Sequence, residues 1–381
     1  MRIGIVTSSY PLSLTDTVTA GVFVRDLAQE LVTLGHQVHV LTPRKYGKAE
    51  MPDLIEVHYI PWWGGEKDLA SVSMRNPLTL LRYATLVVSG LVYVSRYARA
   101  RRLEALLAMW AIPSGLFSWL AWKWHKIPYG VWALGSDIWA RHKYPWGDQI
   151  VRLVLRGAQF RFADGVELAH QVASLADAPC EFVPSSRRLP LTGMSAGVTL
   201  PSDGPHFLFI GRYEYNKGPD ILVEAMRLLL EGGCRAHLHM FGVGSLETHL
   251  RRRITGYEQY IHLGGYADLS TVIAYMRACN WLVIPSRIES IPLIFGDALQ
   301  MHLPVIATDV GDLGVLVNSL GVGQVVPLAE PHAIVQAMQA ALARSSAEFE
   351  GVWNDAIEMF DLGKSAARCV QSLSLAQQAV P

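Results

Sequence analysis

Apolar and polar residues alternate along the first half of the chain as a repeated strand–helix unit. The β-branched run RIGIVTS (2–8) predicts a first strand, GVFVRDLAQELVTLGH (21–36) has the spacing of an amphipathic helix, and QVHVLTP (37–43) predicts the next strand. This βαβ succession indicates a parallel sheet with helices on both faces. Further strands are predicted within LIEVHYI (54–60), LEALLAMWA (103–111), PYGVWAL (128–134) and DGVELA (164–169).

The pattern breaks at residues 181–205, EFVPSSRRLPLTGMSAGVTLPSDGP, where Pro, Ser and Gly indicate a linker. It then restarts as a second strand–helix series. We therefore expect an α/β protein with two Rossmann-like domains in tandem, facing each other across a cleft, and ligands outside the carboxyl ends of the strands. The segments of the second series are HFLFIGR, GPDILVEAMRLLLEGG, AHLHMFGVG, LSTVIAYMRAC, WLVIPS, PLIFGDALQMH and LPVIATD.

Composition excludes several classes of protein. The chain has 381 residues, of which 51% are hydrophobic and 17% charged, so it is folded and long enough for two domains. Its net charge of zero gives no support to nucleic-acid binding. Four scattered cysteines argue against a zinc site or a disulfide framework and favour a reducing compartment. MRIGIVTSSYP lacks the shape of a signal peptide, so a cytoplasmic location is expected.

Two loops of the second series have residues suited to a nucleotide. In GRYEYNKGPDILVEA, Arg212 and Lys217 follow a predicted strand and are placed to grip a phosphate. In MFGVGSLETHL, Gly242 and Gly244 would let a base or phosphate approach the backbone. The alternatives are a solvated turn with ordinary surface charges and a plain tight turn.

Two carboxylates, Glu289 and Asp297, lie inside the apolar stretch SRIESIPLIFGDALQMHLPVIATD (286–309), which ends at Asp309. A helix is predicted to begin near Pro292, which suits a first turn, so Glu289 and Ser290 would precede it and Asp297 would lie in its second turn. The free amides and positive dipole of a helix start favour an anion there. Glu289 would lie beside this anion, and Asp297 could reach a neutral polyol. Either acid could instead be a simple partner of the helix dipole.

Together these motifs resemble the retaining nucleotide-sugar glycosyltransferases of family four, which have the GT-B fold. The resemblance rests on Gly-Arg-x4-Lys-Gly, Gly-x-Gly, Pro-Ser-Arg-x-Glu-Ser-x-Pro-Leu-x3-Asp-Ala and Pro-Val-Ile-Ala-Thr-Asp-x-Gly, in that order. AGVFVRDLAQELVTLGHQVHVLTP and LGSDIW are similar to the first half of the same family. The implied domains are an acceptor-binding domain at 1–188, a nucleotide-sugar-binding domain at 200–360 and a helix at 361–381 that crosses back to the first domain.

The resemblance also implies roles for individual residues. Arg212 and Lys217 would bind the donor diphosphate, and Glu289 would face the donor sugar. The amides at the helix start would hold sugar hydroxyls and phosphate, Asp297 the ribose, and Gly21 would approach the diphosphate from a loop of the first domain. The implied donor-binding set is Gly21, Arg212, Lys217, Gly242, Ser290, Ile291, Pro292, Leu293 and Asp297.

No cofactor or metal is expected in the site. The sequence has no Asp-x-Asp motif, in agreement with a family that normally needs no metal ion. Preorganised cations and a helix start would stabilise the charge of the departing diphosphate.

The chain departs from the family pattern at two positions. Asp297 stands where the family usually has Glu. In WALGSDIW, Leu134 takes the place of the histidine of a His-Gly-x-Asp pattern, and that histidine normally contacts the donor sugar. Asp137 or His142 could supply the missing contact, and Asp137 joins Glu289 as a candidate catalytic residue.

The first half is basic and rich in tryptophan. Up to Pro190 it has 21 Lys and Arg against 15 Asp and Glu, and nine of the eleven Trp. The segment Asn76–Arg102 has an uncharged run of 13 residues before an arginine cluster, which is short of the ~20 needed to span a membrane. It is typical of an interfacial helix on an anionic membrane surface. The alternative is a core helix with solvated arginines.

The sequence therefore predicts a cytoplasmic glycosyltransferase, which the interfacial-helix interpretation of Asn76–Arg102 would place at the inner face of a membrane. Its partners would be a nucleoside-diphosphate sugar and a glycan or lipid-linked acceptor. One alternative is a GT-B sugar-nucleotide epimerase or hydrolase, which would turn over donor without an acceptor. The other is a non-catalytic glycosyltransferase-like binding subunit, suggested by Leu134.

Overall fold

The computed structural model describes residues 1–11, 19–45, 55–64, 77–143, 146–190, 197–344 and 346–379. The chain divides into two compact units. Unit 1 comprises Met1–Arg187 together with Leu362–Pro381, and unit 2 comprises Arg188–Asp361. Each unit is a parallel sheet with helices.

The elements alternate along the chain as the hydrophobic pattern predicts. The strands are β1 Arg2–Val6, β2 Gln37–Pro43, β3 Glu56–Ile60, β4 Ala105–Met109, β5 Tyr129–Ala133, β6 Phe160–Ala163, β7 Glu181–Phe182, β8 His206–Ile210, β9 His237–Phe241, β10 Ile261–Leu263, β11 Trp281–Ile284, β12 Val305–Thr308 and β13 Gly323–Val326. The helices are α1 Thr19–Thr33, α2 Pro77–Ala100, α3 Leu116–His125, α4 Ser136–Trp139, α5 Gly147–Gly157, α6 Val166–Ala176, α7 Pro219–Glu231, α8 Glu247–Arg253, α9 Leu269–Ala278, α10 Leu293–Gln300, α11 Leu313–Leu320, α12 Pro331–Leu342, α13 Trp353–Met359 and α14 Leu362–Gln378.

Both sheets are wound in two directions from a central pair of strands. Unit 1 has the order β3-β2-β1-β4-β5-β6-β7, and unit 2 has β10-β9-β8-β11-β12-β13. The pairings are parallel, with Phe207 of β8 opposite Leu238 of β9 and Trp281 of β11. The order reverses between β1 and β4 and between β8 and β11, and such switch points are where doubly wound sheets bind ligands. The predicted fold class is confirmed.

The helix α14 completes the core of unit 1 although it follows unit 2 in the chain. It packs on α1 and β4, and its Leu373 is buried with Ile3 and Ala105. The Gln377 amide donates to Glu104 Oε1 at 3.0 Å, while Glu104 Oε2 accepts the Arg2 N–H at 2.6 Å. The last helix is therefore bound to the first strand of the chain.

The helix α2 docks on unit 1 by one face. Leu86, Gly90 and Val94 are buried, and a Cβ on Gly90 would overlap the ring of Phe117 in α3. Among the described residues, α2 alone is long and apolar enough to cross a membrane, and 22% of its most apolar window is buried in the protein. The uncharged run of 13 residues therefore understated the apolar length of the helix. Asn76, where the predicted segment begins, lies outside the described residues.

The predicted strand DGVELA (164–169) is wrong. These residues follow β6 and enter α6 after Gly165, which has extended backbone. Leu168, Ala169 and Val172 are buried at helical spacing, so the 3.6-residue period prevails over the strand-like composition. The strands β6, β7, β10 and β13 were not predicted, and of these β7 and β10, with two and three residues, are too short to show a period.

Four histidines stack on one face of the unit 2 sheet. The parallel register places His206 opposite His237 and His239 opposite His262, with ring centroids 4.9 Å apart in each pair. His206 Nδ1 lies 3.0 Å from His239 Nε2. Burial, with smaller contributions from the neighbouring imidazoles, lowers the pKa of His239 to about 3, and burial also lowers the pKa of His206 and His262. His206, His239 and His262 are therefore neutral in the folded protein near pH 7.

Folding stability should fall on acidification because of this cluster. The unfolded chain binds protons at these histidines below about pH 6.5, whereas the folded chain resists protonation of His239 down to about pH 3. The free energy of unfolding should drop by up to about 1.4 kcal/mol per pH unit for each of His206, His239 and His262 as the pH falls below 6.5. Urea unfolding followed by circular dichroism measures this slope.

The variant His239→Asn should give a shallower slope than the parent protein, whatever its effect on stability at pH 7. His170→Asn, at an exposed position of α6, is the control. Equal slopes for His239→Asn and the parent would contradict the conclusion that the lowered pKa of His239 contributes to the loss of stability in acid.

Candidate active site

Two loops meet at the switch point of unit 2. One follows β8 and contains Arg212 and Lys217, and the other follows β11 and contains Glu289 and Ser290. The carbonyl oxygen of Asn216 in the first loop accepts backbone N–H groups of the second, from Arg287 at 2.8 Å and from Ile288 at 3.2 Å. The structure thus brings together residues that are about 70 positions apart in the chain.

The centre of the site is an ion pair between Lys217 and Glu289. The Lys217 ammonium contacts Glu289 Oε2, and the two side chains are 21% and 13% exposed. The Ser286 hydroxyl lies 3.4 Å from the same carboxylate oxygen. The sequence predicted both charged residues for the site but not their pairing. The pair therefore places a cation and an anion side by side in a largely buried position.

Arg287, which was not among the predicted site residues, fixes the two loops to each other. Its guanidinium donates to both carboxylate oxygens of Asp220, at 2.7 Å each, and to the Tyr215 carbonyl at 2.8 Å. It also stacks over the Tyr215 ring at 4.0 Å. A bidentate, stacked arginine is a geometry that lysine does not reproduce. Arg287 was visible as the arginine of the Pro-Ser-Arg motif. Its pairing with Asp220 was not predicted, because Asp220 lies 67 residues away in the chain.

Close backbone contacts require glycine at two predicted positions. Gly218 has a φ of 66°, and a Cβ there would overlap the Pro285 carbonyl oxygen. A Cβ on Gly242 would overlap the carbonyl oxygen of Gly211. Gly242 therefore packs the Gly-x-Gly turn against the loop after β8. Whether it also contacts a nucleotide, as the sequence analysis expects, stays a prediction.

Glu214 ties the Gly-x-Gly turn to the loop that contains the cations. Its carboxylate accepts the Ser245 hydroxyl at 2.6 Å and the Ser245 backbone N–H at 2.9 Å. The Ser245 hydroxyl is the main cause that lowers the pKa of Glu214. Arg212 is exposed, and in the described part of the chain its guanidinium makes no ion pair. Its charge is therefore free to meet a ligand.

The helix α10 begins where the sequence predicts, with Pro292 as its extended N-cap. Ser290 and Ile291 are buried before it, and among the described residues the Ser290 hydroxyl has no hydrogen-bond partner. One part of the prediction is wrong on chemical grounds. Pro292 has no N–H, so only Ser290, Ile291 and Leu293 of that set can donate a backbone amide.

Asp297 lies in the second turn of α10, as predicted, but its side chain is almost wholly inside the unit. Its exposed fraction is 1%. Contact with a ribose hydroxyl stays a prediction.

Two predicted residues belong to unit 1, and each has a structural role there. Gly21 lies in the first turn of α1 rather than in a loop, and a Cβ would crowd the Tyr10 backbone. Asp137 is buried in α4, where it accepts the Ala111 N–H at 2.6 Å and the Leu134 N–H at 3.2 Å. Burial raises the pKa of Asp137 to about 6, although the hydrogen bonds from these backbone amides act to lower it. Asp137 thus holds the loop after β5 in place, and Leu134 lies in that loop.

Comparison with known proteins agrees with the motifs. Residues 204–344 match the family model "Glycosyl transferases group 1", and residues 19–184 match "Glycosyl transferase 4-like domain". A D-inositol 3-phosphate glycosyltransferase of Jonesia denitrificans is 31% identical over 156 residues, which are 38% of this chain and 36% of that protein. The first three curated relatives are each matched over only 29% to 36% of their length.

Solved structures match over the whole chain. Sucrose-phosphate synthase of Thermosynechococcus elongatus has a TM-score of 0.75 at 19% identity and covers 100% of both chains. Anabaena Alr3699/HepE in complex with UDP-glucose has a TM-score of 0.70 at 15% identity, covering 98% of this chain and 100% of that chain. The two doubly wound parallel sheets and the similarity to these solved structures together place the chain in the GT-B class of fold.

The two family models extend over most of the described chain, one in each unit. The chain belongs to the family-four type of glycosyltransferases. The predicted family-four type and GT-B fold are confirmed, while the retaining mechanism and the nucleotide-sugar donor stay predictions.

Replacing Arg287 by lysine should loosen both loops of the site. The change keeps the positive charge but loses the fork on Asp220 and the stacking on Tyr215. Charge-assisted bonds contribute about 1.5–3 kcal/mol, so amide hydrogen exchange at residues 212–218 and 286–290 should quicken roughly tenfold to a hundredfold. Mass spectrometry of exchanged peptides measures this change. Arg252→Lys, at an exposed position of α8, is the control. Unchanged exchange in Arg287→Lys would show that the Arg287–Asp220 clamp does not hold the two loops together.

Proposed function

We propose that this protein is a retaining glycosyltransferase that moves a sugar from a nucleoside-diphosphate sugar to a glycan or lipid-linked acceptor. The observation that carries the proposal is the Lys217–Glu289 pair at the carboxyl ends of β8 and β11, next to the start of α10. Support for a nucleotide-sugar donor comes from the neighbour solved with UDP-glucose. Retention of configuration rests on the family resemblance.

In this mechanism the protein stabilises the departing diphosphate. Arg212 and Lys217 neutralise its charge, and the amides of Ser290, Ile291 and Leu293, at or just before the start of α10, donate to it. Such preorganised groups are commonly the largest catalytic contribution, because they need no reorganisation during the reaction. The cations do the work that a metal ion does in other diphosphate sites, so no cofactor or metal is proposed for the donor site.

Glu289 acts on the sugar. In the part of the chain that the structure describes, its contacts with Lys217 and Ser286 both use Oε2, which leaves Oε1 for the donor sugar. A carboxylate at this place stabilises the positive charge that grows on the sugar ring as the diphosphate leaves. When the diphosphate arrives, Lys217 shares its charge between the phosphate and Glu289, which couples donor binding to the placement of the acid.

One observation favours the non-catalytic alternative. Leu134 cannot donate a hydrogen bond to the sugar, and both oxygens of Asp137 already accept backbone amides. The candidate substitutes for the missing histidine are therefore reduced to residues such as His142, which is mostly exposed. A binding subunit would bind nucleotide-sugar without transfer. The other alternative, an epimerase or hydrolase, would turn over donor with no acceptor present.

A membrane surface is proposed as the place of the acceptor. The exposed side of α2 presents Leu81, Val88 and Val92 at helical spacing, with Val88 65% exposed, followed by exposed Arg96 and Arg99. This order of apolar and then basic side chains suits an interfacial helix that buries its apolar stripe between anionic headgroups. The C-terminal end of α3 adds further groups of this kind: Lys123, Trp124 and Lys126. A cytoplasmic protein bound at the inner face of a membrane would meet a lipid-linked acceptor there.

Substitutions in the pair should separate donor binding from transfer. Lys217→Ala and Arg212→Ala should each weaken the binding of a nucleoside diphosphate about tenfold or more, because each removes a charge-assisted contact. Glu289→Gln should keep most of the binding and lose transfer. Calorimetry with UDP, GDP and ADP measures binding, and release of nucleoside diphosphate from the matching sugar donors measures turnover with and without acceptor extract. Arg252→Ala is the control for loss of a surface charge.

Unchanged affinity in both Lys217→Ala and Arg212→Ala would overturn the diphosphate assignment. Full activity of Glu289→Gln would remove its role at the sugar. Diphosphate release that does not depend on an acceptor would favour the hydrolase or epimerase.

The surface proposal predicts sedimentation with anionic vesicles and much less with neutral ones. Salt should weaken the binding, because the Debye length shrinks to about 3 Å at 1 M. Neutralising Arg96, Arg99, Arg101 and Arg102 together should release the protein, whereas neutralising Arg156 and Arg252, exposed elsewhere, should not. Equal recovery from anionic and neutral vesicles would leave α2 as an ordinary helix with solvated arginines.

A further inference from the structure

Three potential metal ligands converge on one face of the unit 1 sheet. The parallel register of β2 and β3 places His39 directly opposite Glu56. His58 lies two residues beyond Glu56, and side chains two apart on a strand point to the same face. Each of these residues offers one ligand atom, and all three atoms lie within 4.8 Å of one another.

The two distances from the Glu56 carboxylate to the imidazoles are those of a coordination shell. Glu56 Oε2 lies 3.4 Å from His39 Nδ1 and 3.4 Å from His58 Nε2. Tetrahedral zinc, with bonds of about 2.0–2.2 Å, holds its ligand atoms roughly 3.3–3.6 Å apart. The Tyr97 hydroxyl of α2 adds a fourth polar atom, 3.2 Å from His39 Nδ1 and in hydrogen-bond contact with His58 Nε2.

We propose that His39, Glu56 and His58 bind one divalent transition-metal ion of the zinc type, with the Tyr97 hydroxyl beside the fourth position. Two imidazoles and one carboxylate are a donor set that such ions prefer. The site differs in place and chemistry from the proposed donor site, which lies in unit 2.

The protonation states agree with this set of ligands. Burial is the main cause that lowers the pKa of both His39 and His58, so both imidazoles are neutral near pH 7, the form that binds a metal. The Glu56 carboxylate supplies the negative charge. Arg101, whose guanidinium lies 5.7 Å above the Tyr97 ring, opposes the charge of a bound cation and sets an upper limit on the affinity.

A metal ion bound here would link α2 to the edge of the sheet. Tyr97 is one turn from the C-terminal end of α2, and β3 is the edge strand next to β2. The same helix presents the apolar and basic side chains proposed to meet a membrane. The ion would therefore have a structural role, and its loss would loosen α2 rather than change the chemistry of sugar transfer.

The linear sequence does not show this cluster. His39 and the Glu56–His58 pair are on strands joined by a long connection, and the spacing resembles none of the usual zinc motifs. Only the pairing of β2 with β3 brings them together.

The experiment is a zinc titration of the full-length protein after treatment with a chelator and its removal. We expect one Zn²⁺ per chain by elemental analysis and calorimetry, and a rise of the melting temperature that a chelator reverses. Bound Co²⁺ should give the intense visible absorption of a four-coordinate site. Glu56→Gln and His58→Gln should each weaken binding at least about a hundredfold, and Tyr97→Phe about tenfold. His170→Gln, which removes an exposed histidine of the same unit, should bind as the parent does.

Circular dichroism shows whether each variant is folded, and Glu56→Gln keeps the proposal testable if His58→Gln is not. A parent protein that binds no zinc, or binds it with equal affinity in Glu56→Gln, would overturn the proposal. In that case the four side chains form only a hydrogen-bonded network centred on the Tyr97 hydroxyl.

Discussion

Parallel strand pairing is the constraint on which the candidate site depends. In unit 2 the chain winds outward from β8 in one direction and from β11 in the other, so these two neighbours send their following loops to opposite sides of the sheet. The gap between the loops is a consequence of chain direction and needs no special residues. What the sequence adds is a means of holding the gap at one width. The Arg287 fork on Asp220 and the Asn216 carbonyl do this, since each joins the loop after β8 to the loop after β11.

The charges in that gap have already been partly removed from water. Lys217 and Glu289 compensate each other, and a partly buried pair is tolerated when each partner offsets the desolvation of the other. A phosphate that enters would meet a cation held in place by backbone contacts. This arrangement lowers the reorganisation needed on binding, which is the physical basis of electrostatic preorganisation. In unit 1 the carboxylate of Asp137 is used differently, because its donors are backbone amides that hold a loop.

The parts of the fold that repeat could be predicted, and the parts that depend on distant pairing could not. Long periodic segments such as α1 and α7 and apolar strands such as β8 were visible in the sequence, because burial sets their period. DGVELA was misassigned since six residues fit either period, and β10 was too short to detect. The residues Lys217 and Glu289 were found from motif spacing. Their direct contact, the Arg287–Asp220 clamp and the histidine–glutamate cluster of β2 and β3 were not, because each joins elements that are distant in sequence.

The position of α14 has a consequence for synthesis on the ribosome. Unit 2 interrupts unit 1, so Leu373 and Gln377 reach Ile3 and Glu104 only after all of residues 188–361 have been translated. Until then β1 and β4 lack the helix that covers them, while unit 2 already has every residue it needs. Unit 2 is therefore begun second but completed first. Until α14 has been synthesised, unit 1 exposes an apolar surface that can aggregate with other chains.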